Sequence, residues 1–275
     1  MEETGEARPE ARDTSDERTR RASSFGAAAA QYALYRPGYA QAALRWCLAP
    51  VAEARPLRVL DLGAGTGILT GALAGLVDLG VEVVAVEPDP GMLAELRRLL
   101  PGVRAREGSA ETIPLADQSV DAVLCGQSMH WFDLDRALPE IGRVLRPGGV
   151  LAGLWNVDDD RVEWVAGLAG ITKDVARLSG WRRLPDVTSE EHLLRAGSDW
   201  FTPVESGEFD NPQVRTADAL VAAIATTSRF LLMEETERAA KLDAIRDFLG
   251  SRPETSAGEF ALPLVTGVLR AVRRP

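Results

Sequence analysis

The run RVLDLGAGTGILTGAL, residues 58–73, decides how this chain is read. An apolar stretch leads into three glycines at alternate positions, Gly63, Gly65 and Gly67, and these lead into a helical pattern. Glycine adopts backbone conformations closed to other residues and lets another molecule approach the main chain closely. A strand, a glycine turn and the start of a helix together present N–H groups to a polar or anionic ligand. The dinucleotide fingerprint G-x-G-x-x-G would need a third glycine where this chain has Ile68. The spacing here is G-x-G-x-G.

Outward from that run, strand and helix patterns alternate. VEVVAVEP reads as a second strand, after a helix closed by Gly80. Asp89 is placed to cap the next helix, with Pro90 in its first position. VRAREGS, VDAVLCGQS and GVLAGLWNV read as further strands, with DLDRALPEIGRVLR a helix between the last two. Strands that alternate with helices imply a parallel sheet covered on both faces. Beyond Asn156 the pattern loosens. EWVAGLAGITKDVARL, TADALVAAIATTSRFLLM and ETERAAKLDAIRDFLG read as helices, FTPVESGEF and EFALPLVTGVLRAV as strands.

The bulk numbers agree with one sizeable core. The chain has 275 residues, 45% of them hydrophobic and 26% charged, with a formal net charge of -10. That acidic balance argues against broad binding to a nucleic-acid backbone. Cys47 and Cys125 form no CxxC or Cys/His cluster, so two reduced thiols and no metal site are expected. No run reaches the roughly 18 apolar residues of a membrane span. Residues 1–24 mix both charge signs with Pro, Gly, Ser and Thr, so a disordered tail without a secretory leader is expected, and with it a cytoplasmic location.

Taken together, these stretches resemble the class I S-adenosylmethionine (SAM)-dependent methyltransferases. VLDLGAGTG is similar to the first motif of that family, and VVAVEPDPGML to the second. EGSAETIPLADQSVDAVLCGQSMHWF is similar to the third and fourth, and LPEIGRVLRPGGVLAGLWN to the approach to the fifth strand and the strand itself. FGAAAAQYALYRPGYA, residues 25–40, resembles the N-terminal helix of a trans-aconitate-methyltransferase-like branch. The resemblance spans residues 25–156 by motif and the remainder by element order.

The resemblance implies a Rossmann-like α/β fold. Its doubly wound sheet would be mostly parallel with an antiparallel last strand. It also implies a single domain over residues 25–275, with lid helices at 25–50, a SAM-binding core at 57–156, and a helical acceptor cap with the last strands at 157–275. SAM is the implied cofactor. Glu87, with Pro88 beside it, ends the second strand, where a carboxylate can accept bonds from both ribose hydroxyls. Asp61 and the loop of Gly63, Ala64, Gly65 and Gly67 would face the methionyl part. Ser109, Ala110 and Glu111 follow the third strand on the adenine side, with Ser109 in a slot where many relatives carry Asp. Gln127 ends the fourth strand near the methionyl end. Tyr32 and Arg36 belong to the segment that would close over the cofactor, and Arg36 could meet a carboxylate there.

Transfer from a sulfonium requires an acceptor held in line and shielded from water, so a strong catalytic signature is not expected. His130, just after the fourth strand, is the candidate catalytic residue: a general base near neutral pH, or a group that orients the acceptor. Trp131, Trp155 and Asn156 are candidate acceptor contacts. His192, on a polar helical pattern, reads as a surface residue. The implied activity is methyl transfer from SAM to a small-molecule acceptor through an O, N or C nucleophile. A SAM-binding protein without transfer, or one recruited to another reaction, stays open. An NAD(P)-dependent oxidoreductase is disfavoured by the glycine spacing and by the absence of a Tyr-x-x-x-Lys arrangement. Neither a nucleic acid nor a membrane is an expected partner.

Overall fold

A computed structural model describes residues 36–172 and 199–275. The expected tail, Tyr32, Tyr35 and His192 lie outside the described residues. Among those described, the α-helices are α1 Gln41–Leu48, α2 Ile68–Ala74, α3 Pro90–Leu99, α4 Leu134–Val144, α5 Glu163–Thr172, α6 Ala217–Ala225, α7 Ser228–Leu231 and α8 Glu235–Gly250. The strands are β1 Leu57–Leu62, β2 Val81–Glu87, β3 Arg104–Glu107, β4 Val120–Gly126, β5 Leu145–Asp158, β6 Glu205–Asp210, β7 Gln213–Thr216, β8 Glu259–Leu262 and β9 Leu264–Val272.

Seven strands form one sheet in the order β3-β2-β1-β4-β5-β9-β6. From β3 to β5 every pairing is parallel. β9 runs antiparallel to both β5 and β6. This is the parallel sheet that the alternating pattern implied, in the Rossmann-like form with an antiparallel last strand that the resemblance implied. The strand order reverses between β1 and β4, and ligands of open α/β sheets bind outside the carboxyl ends of the strands at such a point.

Two apolar layers explain why the strands read as near-continuous hydrophobic runs. Alternate residues of each strand feed opposite faces. Leu60, Leu62, Val123 and Cys125 join Ala137, Leu138 and Ile141 of α4 in one cluster. Leu57, Val59, Ala122 and Leu124 join Leu44 and Leu48 of α1 and Leu69 and Leu73 of α2 in the other. α1 therefore belongs to the core: Ala43, Leu44, Cys47 and Leu48 are fully buried. Residues 36–40 are what is described of the expected lid segment ahead of it. At α3 the cap is as expected, with the Met92 amide donating to Oδ1 of Asp89 at 2.8 Å and Pro90 in the first turn.

Several expected boundaries are corrected. α2 ends at Ala74, and a separate 3-10 turn over Val77–Leu79 leads to Gly80. The expected helix over 216–233 breaks, because Thr226 and Thr227 donate their hydroxyls to the carbonyls of Ala223 and Ile224 and end α6. The expected strand over 259–272 is two strands. Pro263, which has no N–H to give a ladder, separates β8 from β9. β8 leaves the main sheet to pair with β7. Around that ribbon, α5, α6, α7 and α8 enclose a third apolar cluster that includes Trp164, Leu168, Phe230, Ile245 and Phe260. The rings of Trp164 and Phe260 meet edge to face at 5.7 Å.

Candidate functional site

The glycine turn at the end of β1 is held from three directions. The amides of Gly63 and Ala64 donate to the carbonyl of Val86 at 2.9 and 3.1 Å, which ties the turn to β2. The amide of Gly65 donates to Oε2 of Glu87 at 2.8 Å. The amide of Gly67 returns to the carbonyl of Ala64 at 2.9 Å. Gly63, Gly65 and Gly67 all have positive φ, at 70°, 56° and 91°. The three positions differ in their surroundings. A methyl group on Gly63 would stand 2.6 Å from Cβ of Ser128, and one on Gly67 3.0 Å from side-chain carbons of Leu96 and Leu100. A methyl on Gly65 would meet nothing nearer than Sδ of Met92 at 3.8 Å. The turn is packed at its two ends and open in its middle, as a cradle for another molecule needs to be.

Two carboxylates frame that open middle. Glu87 is buried, and its Oε1 accepts the amide of Asp89 at 2.9 Å while its Oε2 accepts that of Gly65. Burial raises its pKa, and the two amide bonds oppose that rise. Each of its oxygens keeps a lone pair for a further donor. Pro88 holds the exposed bend that returns the Asp89 amide to this carboxylate. Asp61, at the end of β1, is fully buried, and its Oδ2 accepts the hydroxyl of Thr70 at 2.6 Å. Its Oδ1 is buried with no hydrogen-bond partner. Burial, partly offset by Thr70 and reinforced by Glu87, pushes Asp61 up from 3.8 to about 7. A buried, unsatisfied carboxylate oxygen is costly unless a donor or a cation reaches it.

The other expected cofactor residues lie in the loops after β1, β3 and β4 and ahead of α1. Ala64 is buried against Ala85 and Leu96 beneath the turn. Ser109 makes a bridge with Thr112 after β3. Ala110 is buried beside Ile113 in the core. Glu111 accepts the amide of Asp133 at 2.9 Å, so its carboxylate is committed to the start of α4. Gln127 has a positive φ of 54°, rare for a residue with a side chain, and its side-chain amide donates to the carbonyl of Asn156 at 3.0 Å. Arg36 is half-buried at the first described position.

The four acceptor-side candidates lie just past β4 and near the end of β5. His130 sits in the 3-10 turn Met129–Trp131, with its ring 4.8 Å from that of Trp131. Shielding of the ring lowers its pKa from 6.5 to about 4, which favours the neutral imidazole at pH 7. Trp131 is half-buried and packs on the core cluster. Trp155 is 3% exposed and belongs to that cluster. Asn156 is the next residue of β5. It is buried, and its amide donates to the carbonyl of Gly38 at 3.0 Å.

Sequence patterns do not single out Ser128, Thr70 or Asn211. Ser128 donates its hydroxyl to the carbonyl of Leu62 at 2.8 Å and joins the end of β4 to that of β1. Tyr39 is also at the site: a methyl group on Gly126 would stand 2.5 Å from its phenol oxygen and 3.0 Å from Leu69. The small-residue signal at Gly126 would have pointed to such a close approach. Cys47 and Cys125 are buried thiols, Cys47 pushed up to about 12 and Cys125 well above its ordinary value, both mainly by burial. Among the described residues, no group of three or more His, Cys, Asp or Glu is placed to hold a metal ion. No helix among them is long and apolar enough to cross a membrane.

Comparison with known proteins follows the same lines. Residues 60–153 match the family model described as a methyltransferase domain. An uncharacterized methyltransferase from Mycobacterium tuberculosis is 40% identical over 250 residues, covering 90% of this chain and 95% of the relative. A malonyl-[acyl-carrier protein] O-methyltransferase from Methylococcus capsulatus is 46% identical over 101 residues, 35% of this chain and 36% of that protein. A solved structure from Anaeromyxobacter dehalogenans, described as a type II methyltransferase, shares 29% identity over 87% of this chain and 97% of that one, with a TM-score of 0.59.

Proposed function

The chain belongs to the class I SAM-dependent methyltransferases, and we propose that the cleft between Asp61, Glu87 and the glycine turn is where it holds SAM for transfer to a small-molecule acceptor. The observation that carries this reading is the orphaned Oδ1 of Asp61, fully buried beside an open cradle. The methionyl ammonium is a donor and a cation of the kind that oxygen lacks. Glu87 receives the ribose hydroxyls on the lone pairs that Gly65 and Asp89 leave. The open middle of the turn, around Gly65, leaves room for the methionyl part to lie against the backbone. Ser109 and the backbone of Ala110 and Glu111 line the adenine side. Gln127, its amide nitrogen committed to Asn156, keeps its carbonyl oxygen for the methionyl end. Arg36 is assigned to a carboxylate.

When bound, SAM supplies a methyl group already activated by a positive sulfur. The work left to the chain is to bind, orient and exclude water. His130, neutral at pH 7, is assigned to the acceptor as proton acceptor or orienting group, with Trp131 beside it. The third apolar cluster, built from α5 to α8 and the β7–β8 ribbon, is assigned as the acceptor cap. We place the chain in the trans-aconitate-methyltransferase-like branch on the residues of its N-terminal segment, which makes small carboxylates the first acceptors to try.

Calorimetric titration with SAM and with S-adenosylhomocysteine tests the cofactor assignment; micromolar binding is expected, and its absence would overturn it. Release of S-adenosylhomocysteine across a panel of carboxylate, hydroxyl and amine acceptors tests the transfer. Binding without release on any acceptor would favour a SAM-binding protein without transfer.

A further inference from the structure

A buried polar cluster lies at the edge of this site, and the cofactor assignment does not use it. Asn156 of β5 and Thr266 of β9 face each other in the antiparallel register. The hydroxyl of Thr266 donates to Oδ1 of Asn156 at 2.7 Å, and Nδ2 of Asn211 donates to the same oxygen at 3.0 Å. Asn211, just past β6, also donates to the carbonyl of Gly38 at 2.8 Å, where it joins Nδ2 of Asn156. The amide of Ala40 donates to Oγ1 of Thr266 at 3.2 Å. Thr266 is 0% exposed, Asn211 8% and Asn156 9%, so these bonds are made away from water. Gln127 extends the cluster to the end of β4 through its bond to the carbonyl of Asn156.

The cluster is spent on backbone atoms of residues 36–40, a stretch without helix or strand. Such a stretch cannot satisfy its own carbonyls and N–H groups, so its course must be set from outside. Buried, mutually satisfied side chains set one course strongly, because any other leaves them unpaired at a cost. The course they set brings Tyr39 against Gly126 and Leu69, at the carboxyl end of β4 and the first turn of α2. Both are elements of the proposed cofactor cleft.

We propose that Asn156, Asn211 and Thr266 are positioning residues for the cofactor site. They latch residues 36–40 onto the β5–β9 edge so that Tyr39 forms a wall of the cleft. The inference rests on the assignment of SAM to that cleft. It also joins the two halves of the molecule, since Asn211 stands where the chain leaves the sheet for the third apolar cluster.

The test uses the full chain. Thr266→Val keeps the shape of the side chain and removes both of its bonds; Thr266→Ser keeps both bonds. Asn211→Ala removes one of the two donors to Gly38 and its bond to Asn156. SAM affinity by calorimetry is read beside amide hydrogen exchange at Ala40 and circular dichroism. Thr266→Val and Asn211→Ala are expected to raise the SAM dissociation constant about tenfold or more, as the loss of a buried hydrogen bond does, and to speed exchange at Ala40. Thr266→Ser is expected to stay within about twofold of the wild type. Faster exchange at Ala40 with SAM affinity within about twofold of wild type would overturn the latch. Should the buried variants not fold, Tyr39→Ala decides: the same loss of affinity supports the wall, and full affinity removes it. A wild-type protein that binds no SAM would instead overturn the cofactor assignment itself.

Discussion

The amide of Gly65 donates to the carboxylate of Glu87 across 22 residues of chain, at 2.8 Å. One side chain at the end of β2 therefore sets the shape of the turn at the end of β1. Glu87→Ala removes a ligand contact and a support of the cradle together. SAM affinity should fall by at least the value of one charge-assisted bond, about 1.5–3 kcal/mol. Glu87→Gln, which keeps one carbonyl oxygen for an amide, should lose less. Calorimetry on the two variants separates support from contact.

Gly63 and Gly65 should respond differently to a single added methyl. Gly63→Ala drives Cβ into Ser128 at 2.6 Å and should lower the melting temperature. Gly65→Ala meets only Met92 at 3.8 Å, so its cost is the positive φ, about 1 kcal/mol. Gly65→Val should leave the protein folded and abolish SAM binding, because its side chain enters the cradle. Thermal melts and SAM titrations of all three variants check the contrast.

Asp61 gives a pH dependence opposite in sign to that of an ordinary salt-bridged aspartate. Its pKa in the fold is raised from 3.8 to about 7. The folded chain therefore holds this proton more tightly than the unfolded chain between those values. The stability it contributes is full below pH 3.8 and is lost as pH rises through 7. Asp61→Asn should abolish this contribution to the pH dependence of the melting temperature. A cation at Oδ1 favours the ionised form, so SAM should bind more tightly as pH rises from about 6 to about 8, with proton release. Titration in buffers of different ionisation enthalpy measures that release, and Asp61→Asn should abolish it.

His130 should add no titration limb to the rate profile near neutral pH. Burial lowers its pKa to about 4, so it is unprotonated throughout the range from about 6 to about 8. Any acidic limb that belongs to it lies near pH 4. A base this weak works at the low end of general-base catalysis, so His130→Ala should cost about 10²-fold in turnover with SAM affinity unchanged. A limb near pH 6.5 that disappears in the variant would show that the ring is less shielded than its burial implies.

Features set by close neighbours along the chain are legible in the amino-acid sequence itself. The Asp89 cap, Pro90 in the first turn and the strand–glycine–helix run are decided within a few residues, so these local features can be read directly. The breaks at Thr226 and Pro263 are also local. They escape a reading by pattern because the apolar residues on either side outweigh a hydroxyl and a proline. The roles of Asn156 and Asn211 are not readable. Their bonds to Gly38 span 118 and 173 residues, and nothing near either asparagine signals the partner. Motif position puts Trp155 and His130 at the right strand ends, but their burial depends on the packed layers around them.

The β6–β9 pairing has a consequence for recombining the chain. Asp210 pairs with Val265, and the next amide, that of Asn211, donates to the carbonyl of Leu264 at 2.8 Å. Two antiparallel neighbours that would otherwise close as a plain hairpin are instead joined by the whole excursion through β7, α6, α7, α8 and β8. A detour that departs from and rejoins paired strands makes no demand on the order of the sheet. Its length is therefore not fixed by the strand pairing on either side of it. Chimaeras cut at residues 211 and 263 would exchange β7, α6, α7, α8 and β8 but leave behind α5, which shares their apolar cluster, so α5 and Asn211 are the seams to be matched.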